Sequence, residues 1–89
     1  MLLQQNNNAS SCFNRSWYEY SLGFSDSEGH YWIGNHVLTW LTRNGNYKLK
    51  IDLQSRTNKL WYYAEYNTFV VLPEIYNYKL MVDGYSGRL

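Results

Sequence analysis

The chain has 89 residues, with eight Lys or Arg against seven Asp or Glu, and aromatic residues make up 19% of it. This length allows one small domain, and the nearly balanced charge gives no attraction to the phosphates of nucleic acid or to acidic lipids. Nucleic acid and membrane are therefore not expected as partners. The aromatic content argues against disorder and is typical of a β-rich extracellular module.

The first predicted element after an asparagine-rich stretch is a short helix. Residues 4–11 are polar and predict a loop. Ser16 and Glu19 have the spacing of a capping box, in which each side chain bonds the other residue's backbone amide. Gly23 can end the helix. Its apolar face is formed by residues at spacings of three and four, namely Trp17, Tyr20 and Phe24.

A second helix is predicted to begin at Asn35, whose side chain can cap its first turn. Three apolar residues then fall on one helical face, Val37, Leu38 and Leu41. The pair Asn44 and Gly45 is predicted to end this helix, because both residue types tolerate the left-handed conformation that follows many helices.

Three strands follow the helices. Residues 47–54 alternate between apolar and polar, which predicts a strand with a buried face of Tyr47, Leu49, Ile51 and Leu53. A polar turn at residues 56–59 leads to a second strand at residues 60–71, forming an antiparallel hairpin. After Pro73, residues 76–86 supply a third strand, on which Tyr78, Leu80 and Val82 are expected to face one way. Two helices packed on a twisted antiparallel sheet define an α+β fold.

The sequence offers no pattern typical of catalysis. The run GYSG at residues 84–87 resembles a nucleophile elbow, but Arg88 stands where that motif needs its second glycine, and the run is interpreted as a turn that ends a strand. With no nucleophile, acid/base pair or phosphate-binding loop in view, the chain is not expected to be an enzyme, and no catalytic residue is assigned.

Metal ligands are not predicted either. His30 and His36 are six residues apart and have no third ligand at a metal-binding spacing, so surface or packing roles are expected for both. Asp26 and Glu28 could contact a cation, but their loop lacks the dense oxygen pattern of a calcium loop and is interpreted as solvated.

The four tryptophans divide into two pairs. Trp17 and Trp32 lie in patterned contexts and are predicted to anchor the core. Trp40 and Trp61 are out of phase with the apolar faces. They are expected to be partly exposed, either as contact residues or as part of a surface that another region of a larger protein covers.

Two features bear on the cell compartment. The single cysteine, Cys12, is either a buried reduced thiol, which is the preferred interpretation, or half of a bridge to a cysteine outside this chain. Two Asn-x-Ser sequons make Asn8 and Asn14 glycosylation candidates and favour the secretory route. The first residues lack the basic start of a signal peptide, and no apolar stretch is long enough to span a bilayer.

Several motifs, taken together, resemble those of the fibrinogen-related domain found in fibrinogen chains, ficolins, tenascins and angiopoietins. They are FNRSWYEYSLGF at residues 13–24, YWIGN at 31–35, LT at 41–42, GNYKLKIDL at 45–53, AEYNTF at 64–69 and NYKLMVDGYSG at 77–87. Even LLQQ at residues 2–5 lines up with the family's V-I-Q-R strand, so the resemblance covers the whole chain.

The resemblance implies structural roles for a set of motif residues and identifies no ligand-binding residue. In YWIGN the Trp packs under the sheet, the Gly permits close backbone approach and the Asn starts the next helix. The structural set is Trp17, Trp32, Gly34, Asn35, Tyr85 and Gly87.

The chain departs from the family pattern at three positions, with His30 where Glu is usual, Ser25 where Gly is usual and Cys12 where Asp is common. A complete domain of this family is roughly twice this length or more. Residues 1–89 are therefore expected to be a partial fibrinogen C-terminal-like domain, without the start of the domain and without its calcium- and ligand-binding C-terminal part. Calcium belongs to the complete family domain, and no cofactor is expected here.

The resemblance implies a secreted, extracellular recognition module that binds glycans or proteins in innate defence, adhesion or matrix, and that is lectin-like and glycosylated. Residues 1–89 would be a piece of it without the ligand pocket. The alternative is a structural or interaction fragment with no ligand of its own, which associates through an exposed sheet edge. Oligomers could form through segments outside this chain.

Overall fold

The computed structural model describes residues 1–8, 11–43 and 46–88. Two α-helices are present, α1 (Trp17–Leu22) and α2 (Asn35–Arg43), with short 3-10 turns at Ser11–Phe13 and Glu74–Tyr76. The strands are β1 (Gln4–Gln5), β2 (Phe24–Ser25), β3 (Tyr31–Trp32), β4 (Leu49–Gln54), β5 (Trp61–Val71) and β6 (Leu80–Arg88).

The strands form two antiparallel sheets. The smaller has the order β1-β3-β2 and the larger the order β4-β5-β6. The α+β prediction is confirmed, with two short helices and antiparallel sheets. Gln4 and Gln5 pair with β3, so the strand implied by the resemblance is present where the polar composition alone predicted a loop. Among the described residues, no helix has the length and apolar character needed to cross a membrane.

Helix α1 begins and ends where the sequence predicts. The Ser16 side chain accepts a hydrogen bond from the Glu19 amide, and the Glu19 carboxylate accepts one from the Ser16 amide, both at 3.2 Å. At the other end, Gly23 has a φ of 95° and its N–H donates to the Glu19 carbonyl at 2.9 Å. The capping box and the glycine stop are both confirmed.

Helix α2 starts at Asn35, but its N-cap is the preceding residue, Gly34, and not Asn35 as predicted. The Leu38 amide donates to the Gly34 carbonyl at 3.1 Å, which makes Asn35 the first helical residue and not the residue before it. Of the predicted apolar face, Leu38 is buried whereas Val37 is 41% exposed. The stop predicted at Asn44 and Gly45 lies outside the described residues.

The larger sheet contains the predicted hairpin. Strands β4 and β5 pair from Leu49 with Tyr66 to Gln54 with Trp61, and the turn between them is closed by the Ser55 amide donating to the Leu60 carbonyl. Strand β6 continues to Arg88, so the run at residues 84–87 lies inside a strand and its interpretation as a turn was wrong. This run stays extended because β5 is long enough to pair with it, ending with Tyr63 opposite Arg88.

The core lies between α2 and the end of β5. Leu38, Phe69, Val71 and Tyr78 are its buried members. Tyr78 precedes β6 and has a φ of 53°, so it turns into the core without following the alternation of that strand. Tyr78, Leu80 and Val82 were predicted to share one strand face. This prediction was wrong, because Tyr78 lies before the strand and is buried whereas Leu80 is 55% exposed. Further apolar residues pack against the core while partly exposed, namely Leu3, Trp32, Ile33 and Leu49.

The predicted buried face of β4 is not buried. Ile51 and Leu53 are 37% and 52% exposed, and Tyr47 lies before the strand and is also exposed. The alternation of β4 predicted that another element would cover its apolar face. Helix α2 packs against β5 and does not cover that face. An apolar sheet face therefore remains open to solvent.

The tryptophans follow the prediction in part. Trp40 and Trp61 are exposed, as expected for residues out of phase with the core. Trp32 is half-buried and packs against the core. Trp17 is 54% exposed, so its assignment as a core anchor was wrong. Its ring lies 5.6 Å from the ring of Tyr78, which covers one part of the indole and leaves the rest in solvent.

Candidate functional site

Arg15 links the first 3-10 turn to helix α1. Its Nε donates to the Cys12 carbonyl at 2.7 Å, and its Nη1 donates to the Glu19 carboxylate at 2.9 Å. The guanidinium also lies over the Phe24 ring, 4.5 Å from the centroid. The hydrogen bond from Arg15 lowers the pKa of Glu19 below its usual value, so this pair is ionised under ordinary conditions.

A second group of polar side chains, the Cys12–Asp26–His30 cluster, lies beside Arg15. Cys12 is buried on the 3-10 turn, Asp26 follows β2 and His30 immediately precedes β3. One potential ligand atom from each of these side chains lies within 4.8 Å of the other two. Three short segments of the chain therefore bring a thiol, a carboxylate and an imidazole together.

Asp26 is the centre of this cluster. Its Oδ2 accepts from His30 Nδ1 at 2.8 Å, and its Oδ1 accepts from the backbone amides of Glu28 and His30 at 2.9 and 3.1 Å. The bond from the His30 side chain, with further bonds from the His30 amide, the Cys12 thiol and the Glu28 amide, lowers the pKa of Asp26 to about 2. Asp26 and Glu28 are both exposed, as expected for a solvated loop, but Asp26 also holds the loop together through these hydrogen bonds.

His30 is completely buried, as expected for a packing histidine. Nδ1 contacts the Asp26 carboxylate, so Nε2 is the remaining polar atom of the ring. Nε2 has no hydrogen-bond partner in the part of the chain that the structure describes. The ring of Phe13 stands nearly perpendicular to the imidazole, with the centroids 6.0 Å apart.

His36 belongs to a different set of contacts. It is exposed on α2, and its Nδ1 lies 2.6 Å from the hydroxyl of Tyr78, which donates to Glu74 Oε2 at 2.9 Å. Burial raises the pKa of Tyr78. The two histidines thus contact different groups, and the structure does not bring them together as ligands.

The YWIGN motif connects the small sheet to α2. Trp32 donates from Nε1 to the Tyr20 carbonyl at 2.9 Å, and its ring lies 5.9 Å from that of Tyr20. Gly34 and Asn35 follow directly and start α2. These contacts are internal, in keeping with the structural role that the resemblance implies.

The other motif residues lie on β6, away from this connection. Tyr85 is opposite Tyr66, with ring centroids 5.6 Å apart, and is 53% exposed. Gly87 is opposite Ala64, and a Cβ at Gly87 would lie 2.5 Å from the Tyr63 carbonyl oxygen. The strand can therefore approach its neighbour closely only because this residue has no side chain.

An apolar groove of about 690 Å³ lies along the larger sheet. It is lined by the partly buried Leu49 and the exposed Ile51 and Leu53 of β4, by Leu80 of β6 and by the N-terminal Leu2 and Leu3. Three charged residues, Lys48, Lys50 and Asp52, also line it. An apolar surface bordered by charged residues is typical of a site that contacts another protein segment.

The two glycosylation candidates are exposed. Asn14 lies just before α1, with its backbone amide donating to the Ser11 carbonyl at 3.0 Å. Asn8 is exposed as well, and the last two residues of its sequon lie outside the described residues. Both side chains are accessible to a modifying enzyme in the folded protein.

Sequence reasoning missed two features of this region. The Cys12–Asp26–His30 cluster joins residues from three segments, and no spacing along the sequence indicates it. The second feature is Thr42, which is 2% exposed. Its Oγ1 donates to the Leu38 carbonyl and accepts from the Val71 amide, both at 2.9 Å, and so fastens α2 to β5.

Comparison with known proteins identifies the fold. The family of fibrinogen beta and gamma chains, C-terminal globular domain, matches residues 1–89. Among relatives, human angiopoietin-4 is 40% identical over 86 residues, which cover 97% of this chain and 17% of that protein. Bovine fibrinogen-like protein 1 is 40% identical over 89 residues, which cover 97% of this chain and 28% of the relative. The chain thus spans less than a third of the length of these relatives.

Solved structures agree. The fibrinogen-like globe domain of human ANGPTL2 is 36% identical and superposes with a TM-score of 0.87, covering 97% of this chain and 39% of that one. Lamprey fibrin D-dimer, complexed with the peptide ligand Gly-His-Arg-Pro-amide, is 31% identical with a TM-score of 0.83, covering 96% of this chain and 28% of that one. The chain belongs to the family of fibrinogen C-terminal globular domains.

Proposed function

We propose that residues 1–89 are the scaffold part of a secreted, extracellular recognition module of the fibrinogen-like type. The complete module would bind a protein or an acetylated glycan in innate defence, adhesion or matrix, and its function is recognition without catalysis. The observation that carries this proposal is the agreement with the human ANGPTL2 globe domain across nearly the whole chain. The exposed Asn8 and Asn14, each in a sequon, support a secreted glycoprotein.

The way in which the polar groups are used supports a scaffold role. The Trp32 indole, the Thr42 hydroxyl and the Ser16 hydroxyl all bond to nearby backbone, so they are occupied within the fold. The groove beside β4 is lined mainly by apolar side chains, which suit a protein segment better than a sugar. We therefore propose that the ligand contacts of the module lie outside residues 1–89, in the part that uses calcium.

A chimera tests this assignment. Residues 1–89 would replace the matching segment of the lamprey fibrin D fragment, whose peptide ligand is known from its structure. If these residues are scaffold, the chimera folds and binds Gly-His-Arg-Pro-amide with unchanged affinity by isothermal titration calorimetry. Residues 1–89 alone should bind neither this peptide nor acetylated sugars in the presence of calcium.

Two results would contradict the proposal. If residues 1–89 alone bind the peptide or a sugar, the ligand contacts lie within them. If the chimera folds by near-ultraviolet circular dichroism but loses peptide binding, residues 1–89 set the ligand specificity. The unmodified lamprey fragment serves as the positive control for both measurements.

A second candidate function is association through the larger sheet, with no ligand of the chain's own. Strands β4 and β6 are the two edges of that sheet, and every residue of the nine-residue β6 is exposed. An exposed edge of this length offers backbone N–H and C=O groups to another strand, and the apolar groove offers side-chain contacts.

The test is light scattering over a range of protein concentrations. Association through β6 predicts a mass that rises with concentration, and Val82→Lys should shift this rise to higher concentration. Val37→Lys places the same charge on an equally exposed position of α2 and is the matched control. A monomer at all concentrations, or an equal effect of both variants, would contradict this candidate.

A further inference from the structure

The Cys12–Asp26–His30 cluster has the donor set of a transition-metal site. A thiol, a carboxylate and an imidazole supply sulfur, oxygen and nitrogen, and the three ligand atoms lie within 4.8 Å of one another. Zinc binds such donors at roughly 2.0–2.3 Å, so tetrahedral ligand atoms lie roughly 3–4 Å apart. The 2.8 Å separation of Asp26 Oδ2 and His30 Nδ1 needs to widen only slightly for an ion to replace their hydrogen bond.

His30 contributes its Nδ1 to this cluster. Nδ1 is the ring atom in contact with Asp26, whereas Nε2 lies on the opposite side of the ring and cannot reach an ion held between Asp26 and Cys12. The His30 side chain has no exposed surface, so the surrounding residues hold the ring in this orientation.

We propose that Cys12, Asp26 and His30 bind a zinc ion through the thiolate sulfur, a carboxylate oxygen and the imidazole Nδ1. Thiolate and imidazole are the ligands that zinc prefers, whereas calcium and magnesium take oxygen donors almost exclusively. The Asp26 side chain is 28% exposed, so a water can reach the fourth coordination position from that side.

Arg15 lies beside the cluster without leaving an unbalanced positive charge there. Its Nη2 donates to the Cys12 sulfur at 3.7 Å. Its Nη1 is paired with the Glu19 carboxylate at 2.9 Å, which balances the charge of the guanidinium.

An ion in this cluster would join segments that are separate in the sequence. A bound ion would connect the 3-10 turn at Ser11–Phe13, the loop after β2 and the start of β3. Because an unfolded chain does not hold these three ligands together, zinc should stabilise the folded state.

The test is a titration of the reduced 89-residue chain with Co²⁺, a spectroscopic substitute for Zn²⁺. The expected result is a thiolate-to-cobalt charge-transfer band that saturates at one ion per chain and disappears when Zn²⁺ is added. Since Cys12 is the only cysteine, the band assigns the sulfur ligand without any variant. Zn²⁺ should also raise the melting temperature of the chain, and a chelator should reverse the rise.

Variants identify the other two ligands. His30→Gln and Asp26→Asn should each weaken metal binding by more than ~100-fold, beyond the usual effect of losing an outer-shell partner. His36→Gln, at an exposed position, is the matched control and should bind like the wild type. Near-ultraviolet circular dichroism confirms the fold of each variant.

Three results would overturn the proposal. The first is a folded, reduced wild-type chain that gives no charge-transfer band. The second is metal affinity that persists in a folded His30→Gln chain, because the buried ring would then not be a ligand. The third is an equal rise in melting temperature with Zn²⁺ for wild type and Cys12→Ser, which would indicate binding elsewhere on the surface.

Discussion

Gly23 packs against the backbone just before Gly34, and Gly34 packs against the backbone just before Gly23, where the end of α1 meets the end of β3. A Cβ at Gly23 would lie 2.6 Å from the Ile33 carbonyl oxygen, and a Cβ at Gly34 would lie 2.8 Å from the Leu22 carbonyl oxygen. Both residues have positive φ angles, 95° and 107°. Neither position can hold a side chain without moving backbone, so this contact fixes how α1 meets the YWIGN motif.

Replacing Gly34 with Ala should therefore destabilise the fold strongly. We expect the free energy of unfolding to fall by about 2–4 kcal/mol, from the strained φ together with the backbone overlap. Gly29→Ala is the matched control, because its φ is 87° but its Cβ would meet only the flexible Asn7 side chain. That variant should lose about 1–2 kcal/mol. Urea titration measures both, and equal losses would mean that the backbone contact contributes nothing.

The N-cap of α1 should be measurable in the same way. Ser16→Ala removes the hydroxyl that accepts from the Glu19 amide, and should lower the free energy of unfolding by about 1 kcal/mol. Ser16→Thr keeps an accepting hydroxyl and should remain close to wild type. If the two variants have the same stability in urea titration, the capping box does not stabilise the protein.

Glu19 should make stability depend on pH in the acidic range. The hydrogen bond from Arg15 lowers the pKa of Glu19 below its ordinary value of 4.5, so the folded state favours the ionised carboxyl. Its contribution is present above pH 4.5 and is lost as the pH falls through the lower pKa of the folded state.

The measurement is the difference in unfolding free energy between wild type and Glu19→Gln at several pH values. This difference should shrink as the pH falls below 4.5 and disappear once Glu19 is protonated in both states. A difference that stays constant down to low pH would show that the ion pair with Arg15 does not carry the effect.

Thr42 offers a test of how α2 is attached to the sheet. In Thr42→Val the Val71 amide loses its acceptor at a buried position, and the free energy of unfolding should fall by about 1–3 kcal/mol. Thr42→Ser keeps the hydroxyl and should recover most of this loss. Val71 amide protection in hydrogen exchange should decrease in the Val variant, and unchanged protection would contradict the role of this bond.

Local chemistry explains which elements were predictable. The capping box at Ser16, the stop at Gly23 and the hairpin of β4 and β5 depend on neighbouring residues, and the sequence alone predicted them. The family motifs supplied β1, which composition alone had assigned to a loop. Patterns of this kind need no knowledge of distant contacts.

The errors came from long-range packing. Alternation in β4 correctly indicated a strand with an apolar face, but it could not indicate whether another element covers that face. Burial of Tyr78 depends on a backbone turn after Pro73 that no periodicity describes. The cluster around Asp26 combines three segments, so its existence depends on the fold and not on spacing.

The hydroxyl of Ser16 has a second use, because Ser16 is also the last residue of the sequence Asn-Arg-Ser that begins at Asn14. In a secretory cell this hydroxyl belongs to the signal for attaching a sugar, and in the folded chain the same oxygen accepts the Glu19 amide. Thr is the other residue whose hydroxyl can both complete the Asn-x-Ser/Thr sequence and cap a helix. The sequon and a hydroxyl N-cap thus each call for Ser or Thr at the same position, although neither depends on the other.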